Sequence, residues 1–301
     1  MNSSPRCIKE PPETMETIGK QELWSFFDKW HKATPAKSTK IRNGLGHSVS
    51  SFLELASKVA ELQFRNRDHV LLFRGQSADY PNKKGNSTLK PTFFRPLKKG
   101  NPNSSTLIKR FETLREAEQD LARRYKQAGF LGIDRLKRQR ILRWAILQHY
   151  EVCPTPLLDV TASLRIAASF ASLDNKGEAF LFVLGVPNLS GAIMASAEAG
   201  LQIVRLSSVC PPKAIRPHLQ EGYLLGEYPE MSDFAQKQEY FHYEIDFGRR
   251  LVAKFRFNPK TFWNDDIFPM VSKEALYPSP KNDIFFKLAL EVKQSIASSQ
   301  E

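Results

Sequence analysis

A strand of core quality that runs straight into a fixed positive charge needs a reason. In LLFRGQ, residues 71–76, the apolar run ends at Arg74 and Gly75. A guanidinium stays charged at any ordinary pH and presents a planar fork of donors that fits carboxylate and phosphate oxygens. We therefore read Arg74 as a cation at the floor of a cleft, holding an anion, with Gly75 letting backbone approach the ligand without a Cβ. Further along, Ile141, Trp144 and Ala145 lie at i, i+3 and i+4 of a helical stripe, Gln148 continues that face at i+7, and His149 stands beside it. Buried polar side chains must find partners, so an inward Gln-His pair is either a hydrogen-bond brace for the next loop or part of a site. PTPLLDVTAS then brings Asp159, Thr161 and Ser163 together just ahead of a helix that starts near Ser163. Free backbone N–H groups there favour a capping oxygen or an anion. Simple capping by Thr161 or Ser163, with Asp159 closing an ion pair, accounts for the same residues. His149 with Asp159 orienting it is also a common acid–base pair, which a hydrolase or nuclease would use.

Other chemistries find less support. There is no Gly-x-Ser-x-Gly elbow and no Walker loop, and GLGHSV at 44–49 lacks the final glycine of a dinucleotide fingerprint. The six histidines, at 31, 47, 69, 149, 218 and 242, are scattered, and no Cys or His pair has ligand spacing, so no metal is expected.

The elements that must position these residues can be read from periodicity. QELWSFFDKWHKA predicts an amphipathic helix with Trp24, Phe27 and Trp30 or their neighbours turned inward, and a second helix follows at about 48–64. HVLLF reads as a central strand buried on both faces, and 77–105 is dense in Gly, Pro, Asn and Ser and reads as loop. Residues 106–128 and 133–150 look helical, broken at Gly129 and Gly132, and a helix at about 163–173 carries Ala167, Phe170 and Ala171 at helical spacing. Strands are expected at 179–186, 201–206, 240–247 and 250–257. Helices first and strands later make an α+β layout with a mixed or antiparallel sheet core. We divide the chain into a flexible tail at 1–18, an N-terminal helical segment at 19–66, an α+β domain at 67–292 and a C-terminal tail at 293–301.

Composition sets outer limits. With 301 residues, 41% of them hydrophobic, the chain can build a real core, and its longest apolar runs fall far short of a membrane span. The N-terminus has no apolar signal-peptide region, and three cysteines at 7, 153 and 210 suit a reducing compartment, so a cytoplasmic protein with no membrane partner is expected. Lys and Arg number 44 against 32 Asp and Glu, or 44 − 32 = +12, a balance that favours polyanions such as nucleotides or nucleic acid. Much of the excess lies in 123–143, where eight basic residues face only Asp134. Such a run is a solvated helix face or a nucleic-acid groove. The interleaved aromatics that single-strand binders stack on are sparse there, only Tyr125 and Phe130.

Taken together, these segments resemble the FRG domain family, named for its Phe-Arg-Gly motif. FRGQ at 73–76 is followed by LKPTFFR at 89–95, like the family's Leu-x-Pro-Ser-Leu-Phe-Arg element. LQHYEVCPTPLLDVTASLRIAASFA at 147–171 is similar to its Gln-His-Tyr-Gly-x-Pro-Thr-Arg-Leu-Leu-Asp-Trp-Thr block. IRPHLQEGYLL at 215–225 resembles its Arg-Ile-x-x-Gln-x-Gly-x-Phe element, and ALYPSPKNDIFFKLA looks like the Leu-Phe-Pro stretch near its end, so the resemblance covers about 70–290. The chain departs from the pattern where Glu151 stands in place of glycine, where Cys153 lengthens the loop, and where Pro156 and Val160 replace arginine and tryptophan. Arg74, Gln148, His149, Asp159, Thr161 and Gln220 keep their places.

In outline the motifs also look like those of ADP-ribosyltransferases of the Arg-Ser-Glu type. The resemblance implies an NAD-binding, ADP-ribosyltransferase-like enzyme or NAD glycohydrolase, a toxin or antiviral-defence effector acting on a protein or RNA acceptor. It implies cofactor-binding residues Arg74, Gly75, Gln76, Gln148, Thr161 and Ser163 and catalytic residues Gln220 or Glu221, while the hydrolase reading makes His149 and Asp159 the catalytic pair. A glutamine cannot act as a base, so with Gln220 in the family's late position either Glu221 substitutes or the domain only binds its nucleotide. The alternatives are a non-catalytic nucleotide- or nucleic-acid-binding module using the basic surface, and the His/Asp hydrolase or nuclease.

Overall fold

The run AFLFVLGV becomes an eight-residue strand whose residues are nearly all buried, as a strand covered on both faces must be. The computed structural model describes residues 18, 21–27, 31–95, 102–175, 177–188, 190–239, 246–264 and 266–298. The strands in chain order are β1 (Glu22–Ser25), β2 (Thr34–Lys37), β3 (His47–Ser48), β4 (Val70–Gln76), β5 (Leu158–Thr161), β6 (Ala179–Val186), β7 (Ile193–Ser196), β8 (Leu201–Arg205), β9 (Gly222–Glu227) and β10 (Leu251–Phe257). β1 and β2 pair with each other, and the rest form one sheet in the order β3-β10-β6-β4-β5-β9-β8-β7. All neighbours in it are antiparallel except β3 and β10. With its helices this is the α+β architecture expected from the sequence.

The middle of the sheet is its weakest join. β4 pairs with β6 along its whole length from Val70 to Gln76, and β5 pairs with β9 from Leu158 to Thr161. Between β4 and β5 there is one register pair, Phe73 with Thr161. Two four-stranded halves therefore meet at a seam.

Helices cover the sheet. Before β4 come α1 (Ser38–Asn43) and α2 (Phe52–Arg65). The Ser51 hydroxyl caps α2 by accepting from the Glu54 amide, and the Glu54 carboxylate reaches back to the Ser50 amide at 2.8 Å. Phe52, Leu55, Val59 and Leu62 form the buried stripe of α2, in the same core as β4, β6 and β10. Between β4 and β5 lie α3 (Ser104–Gln127), α4 (Ile133–Arg138) and α5 (Arg140–His149), whose apolar faces make a second core with the last helix, Ile284–Ser298. After β5, α6 (Leu164–Ser172) lays Ala167, Ala168 and Ala171 on the sheet.

That close approach explains Gly75 differently from the sequence reading. A Cβ at Gly75 would lie 1.8 Å from the Ala167 carbonyl oxygen and 2.8 Å from the Ala171 nitrogen. The missing side chain admits the backbone of α6 rather than a ligand.

The loop after β4 is pinned from behind. Lys254 of β10, 3% exposed, holds the Asp79 carboxylate and the Ser87 hydroxyl, both at 2.7 Å. Arg42 of α1 pairs with Asp246 and donates to the Ser87 carbonyl, and Asp246 accepts from the Leu89 amide at 2.9 Å.

Several expectations need correction. Residues 22–25 form β1 where a helix was expected. The Asn66 side-chain amide accepts from the Trp24 amide and donates to the Trp24 carbonyl, imitating a neighbouring strand, and this tertiary pairing overrides the helical pattern. Leu23 and Ser25 face inward, while Trp24 is half-buried under the Arg65 guanidinium at 4.3 Å. Trp30 and residues 1–17 lie outside the described residues. The helix expected over 133–150 is two helices that meet at Gln139. Of the strand expected at 240–247, residues 240–245 lie outside the described residues, and Phe247–Arg250 is a 3-10 turn. The last helix runs to Ser298, through the boundary placed at 293. Among the described residues no helix is long and apolar enough to cross a membrane.

Gly75→Ala tests the packing account. It should destabilise the protein by about 1–3 kcal/mol or more, since α6 must move as a unit. Urea unfolding measures this, and an unchanged midpoint would show that α6 does not press on β4 as described.

Candidate functional site

Where β4 and β5 separate, the two strands expose side chains toward the same space. There the structure has a cleft of about 400 Å³. Arg74 reaches across the gap, and its guanidinium donates from Nη1 to the Asp159 backbone carbonyl in β5. A carbonyl at a diverging strand edge lacks a ladder partner, and the arginine supplies one.

Asp159 is the hub of the polar wall. Its carboxylate accepts from Gln148 Nε2 at 2.8 Å and faces His149 Nδ1 at 3.5 Å. Gln148 is in turn fixed through its carbonyl oxygen, which accepts from the Thr155 hydroxyl at 2.9 Å and the Thr155 amide at 3.3 Å. Burial alone would raise the Asp159 pKa. That burial is the largest single influence, but His149, Arg74 and Gln148 together outweigh it and hold the carboxyl below its ordinary 3.8. His149 is 4% exposed, and burial lowers its pKa below the ordinary 6.5, with Asp159 opposing and Arg216 adding to the shift. We therefore take Asp159 as ionised and His149 as neutral near pH 7, with its proton on Nδ1 facing the carboxylate. Nε2 is then a buried acceptor without a partner.

The cleft is cationic. Arg74, Arg95 and Arg216 line it against the carboxylates of Asp159 and Glu151, so the lining carries 3 − 2 = +1. Burial lowers Arg74 to about 10, with Asp159 opposing and Arg95 adding, and it stays protonated at neutral pH. Tyr80, Phe170 and Tyr277 supply flat apolar faces. Four polar atoms of cleft residues are buried without a partner: Arg74 Nε, Gln76 Oε1, His149 Nε2 and Arg216 Nε. Buried polar atoms are nearly always satisfied, so four such atoms on the residues of one cleft stand out.

The structure thus brings together Arg74, Gly75, Gln76, Gln148, His149, Asp159, Thr161 and Gln220 of the residues singled out from the sequence. Two of these also brace the fold. The Thr161 hydroxyl donates to the Gln220 carbonyl at 2.7 Å and accepts from the Ser163 amide at 3.0 Å, and the Gln220 amide donates to the Leu276 carbonyl. Ser163 caps α6 by position without a side-chain bond and does not line the cleft. Glu221 is exposed, at φ 45°, and is also outside the lining. The carboxylates that do line the cleft are Asp159 and Glu151.

Sequence reasoning missed Arg95, Arg216 and Tyr277 as site residues. The signal was present, because each ends or sits in a segment quoted for the family resemblance: LKPTFFR, IRPHLQ and ALYP.

Half of the basic residues at 123–143 are paired. Arg123 and Arg124 pair with Asp120, Arg124 also with Glu291, and Arg140 and Arg143 with Glu118. Lys126, Arg135, Lys137 and Arg138 remain on an exposed face. Burial pushes the thiols of Cys153 and Cys210 up to about 12, so neither is a nucleophile at neutral pH. Among the described residues no group of three or more His, Cys, Asp or Glu is placed to hold a metal ion.

The fold and this cleft define an α+β protein with a cationic polar cleft at the seam of a central sheet. The family model described as FRG domain matches residues 69–179, and this part of the chain is an FRG domain. The match runs from the start of β4 to the first residue of β6, so it includes Arg74, Arg95, Gln148, His149, Glu151 and Asp159. Arg216, Gln220 and Tyr277 lie beyond it. No curated protein and no solved structure matches the chain.

The protonation states carry a pH dependence. A histidine whose folded pKa is depressed contributes stability that is complete above its unfolded value and is lost as pH falls through the folded one. Stability should therefore decline as pH drops below 6.5, and His149→Gln should flatten that decline. Urea midpoints from about pH 8 to pH 5 check this. Parallel curves for the two proteins would mean that His149 is not buried neutral.

Proposed function

We propose that the cleft binds a phosphate-bearing nucleotide, with NAD⁺ the first ligand to test, and that Arg74 holds its phosphate. The observation that carries this reading is the set of four unpartnered polar atoms on one cleft, two of them guanidinium N–H donors. A guanidinium meets phosphate with bidentate charge-assisted bonds. The aromatic faces of Tyr80, Phe170 and Tyr277 suit a base or nicotinamide ring, and a volume near 400 Å³ is within the range of small-molecule sites.

For chemistry on such a ligand the reading uses the cleft's own groups. Cleavage of a nicotinamide–ribose bond builds positive charge on the sugar, which an ionised carboxylate nearby stabilises. Asp159 lines the cleft where Glu221 does not, so it takes that part. Hydrolysis is favoured by one specific feature, the unpartnered Nε2 of His149 behind an Nδ1 that faces Asp159. In this reading that nitrogen accepts the proton of an attacking water. A protein or RNA acceptor in place of water, and a toxin or defence role, would extend the same chemistry.

Labelled NAD⁺ and a panel of nucleotides should bind the wild-type protein, and Arg74→Ala should abolish binding while the fold survives. If the same nucleotides are turned over, His149→Gln should lower kcat by about 10²–10⁴-fold with little change in binding. Equal nucleotide binding by wild type and a folded Arg74→Ala removes Arg74 from the account. Salt-sensitive RNA binding that Arg74→Ala leaves intact would move the function to the exposed basic face of α4.

A further inference from the structure

We propose that Arg216 is a second anion-binding arm of the cleft, that the Glu151 carboxylate covers it, and that the ligand carries two phosphate groups, one of which takes the place of Glu151. This rests on the nucleotide reading and specifies its ligand class as diphosphates, including dinucleotides joined by a pyrophosphate.

The two members of the ion pair differ in how they are held. Arg216 Nη2 meets Glu151 Oε1 at 2.7 Å, yet the arginine side chain is 7% exposed and the glutamate 60%. Arg216 cannot move easily. Its backbone amide donates to the buried Asp283 carboxylate at 2.9 Å, and its guanidinium lies 4.7 Å from the Tyr277 ring and 5.8 Å from the Tyr150 ring. Glu151 can swing into water, and it sits at φ 56°, in the left-handed region that a residue with a Cβ enters at a cost.

The pairing is also incomplete. Glu151 engages Nη2 and leaves the buried Nε of Arg216 without a partner, so the fork is half used. Arg74 also leaves a buried donor over, with Nη1 on the Asp159 carbonyl and Nε unpartnered. A phosphate offers oxygens to both nitrogens of a fork, where a single carboxylate oxygen serves one. Two guanidinium groups that each keep an unpartnered Nε in one cleft fit two phosphate groups, and an exposed carboxylate is a weak competitor for the second.

Glu151→Gln keeps the backbone problem and removes the competing charge, and Glu151→Gly removes both. Titration calorimetry with inorganic phosphate, pyrophosphate and NAD⁺ on the full chain, with a thermal melt of each variant, separates the possibilities. Both variants should bind pyrophosphate and NAD⁺ about tenfold more tightly than wild type, with inorganic phosphate changed much less. Without added ligand both should melt no higher than a protein whose buried cation has lost its partner allows, and pyrophosphate should raise their melting temperatures more than that of wild type. A gain in Glu151→Gly alone would assign the effect to backbone relaxation and overturn the proposal. An equal gain for inorganic phosphate would overturn the two-phosphate assignment. Pyrophosphate or NAD⁺ binding that Arg74→Ala abolishes but neither Glu151 variant strengthens would overturn the inference and leave the nucleotide reading standing. No binding by any variant would end both.

Discussion

One hydrogen bond holds the position on which the cleft depends, the donation from Arg74 to the Asp159 carbonyl across the seam of the sheet. An eight-stranded sheet in which the two central strands share a single register pair has polar backbone at the gap that must be satisfied. A side chain long enough to bridge the gap meets that need. The arginine in the Phe-Arg-Gly motif is therefore part of the architecture, and in the reading proposed above its charge also holds the ligand. A lysine could donate to the carbonyl, but its compact ammonium lacks the planar fork that a guanidinium presents to an anion.

Around that bridge the cleft balances charge in a confined space. Asp159 faces Gln148, His149 and Arg74, and these contacts keep it ionised despite burial. Its charge in turn offsets part of the desolvation of Arg74. The same carboxylate fixes the imidazole tautomer through Nδ1. One residue thus bears on two others, offsetting part of the burial of Arg74 and orienting His149, and its loss would be felt at both.

Much of this was legible in the sequence because the site residues sit in short segments with strong local signals. The abrupt end of an apolar strand marked Arg74, the polar end of a helical stripe marked Gln148 and His149, and the approach to α6 marked Asp159 and Thr161. The chemistry assigned to Gly75 was not legible, since a glycine needed for ligand approach and one needed for helix packing look the same in one dimension. β1 was misread because its strand partner on one side is the side chain of Asn66, which no periodicity announces. Arg95 and Arg216 went unassigned because an arginine in a loop or short helix reads as surface until the fold turns it inward. Glu221 was favoured for its neighbour's place in a motif, and a left-handed turn carries it out of the cleft.

The brace behind the cleft has a consequence for recognition. Lys254, Asp79, Ser87, Arg42 and Asp246 fasten the segment that runs from Tyr80 toward Arg95. A wall fixed in this way does not have to be frozen when a guest arrives, so its conformational entropy is lost once, as the chain folds. In the reading proposed above, recognition at this wall behaves as docking onto a rigid template, and what adjusts is Glu151.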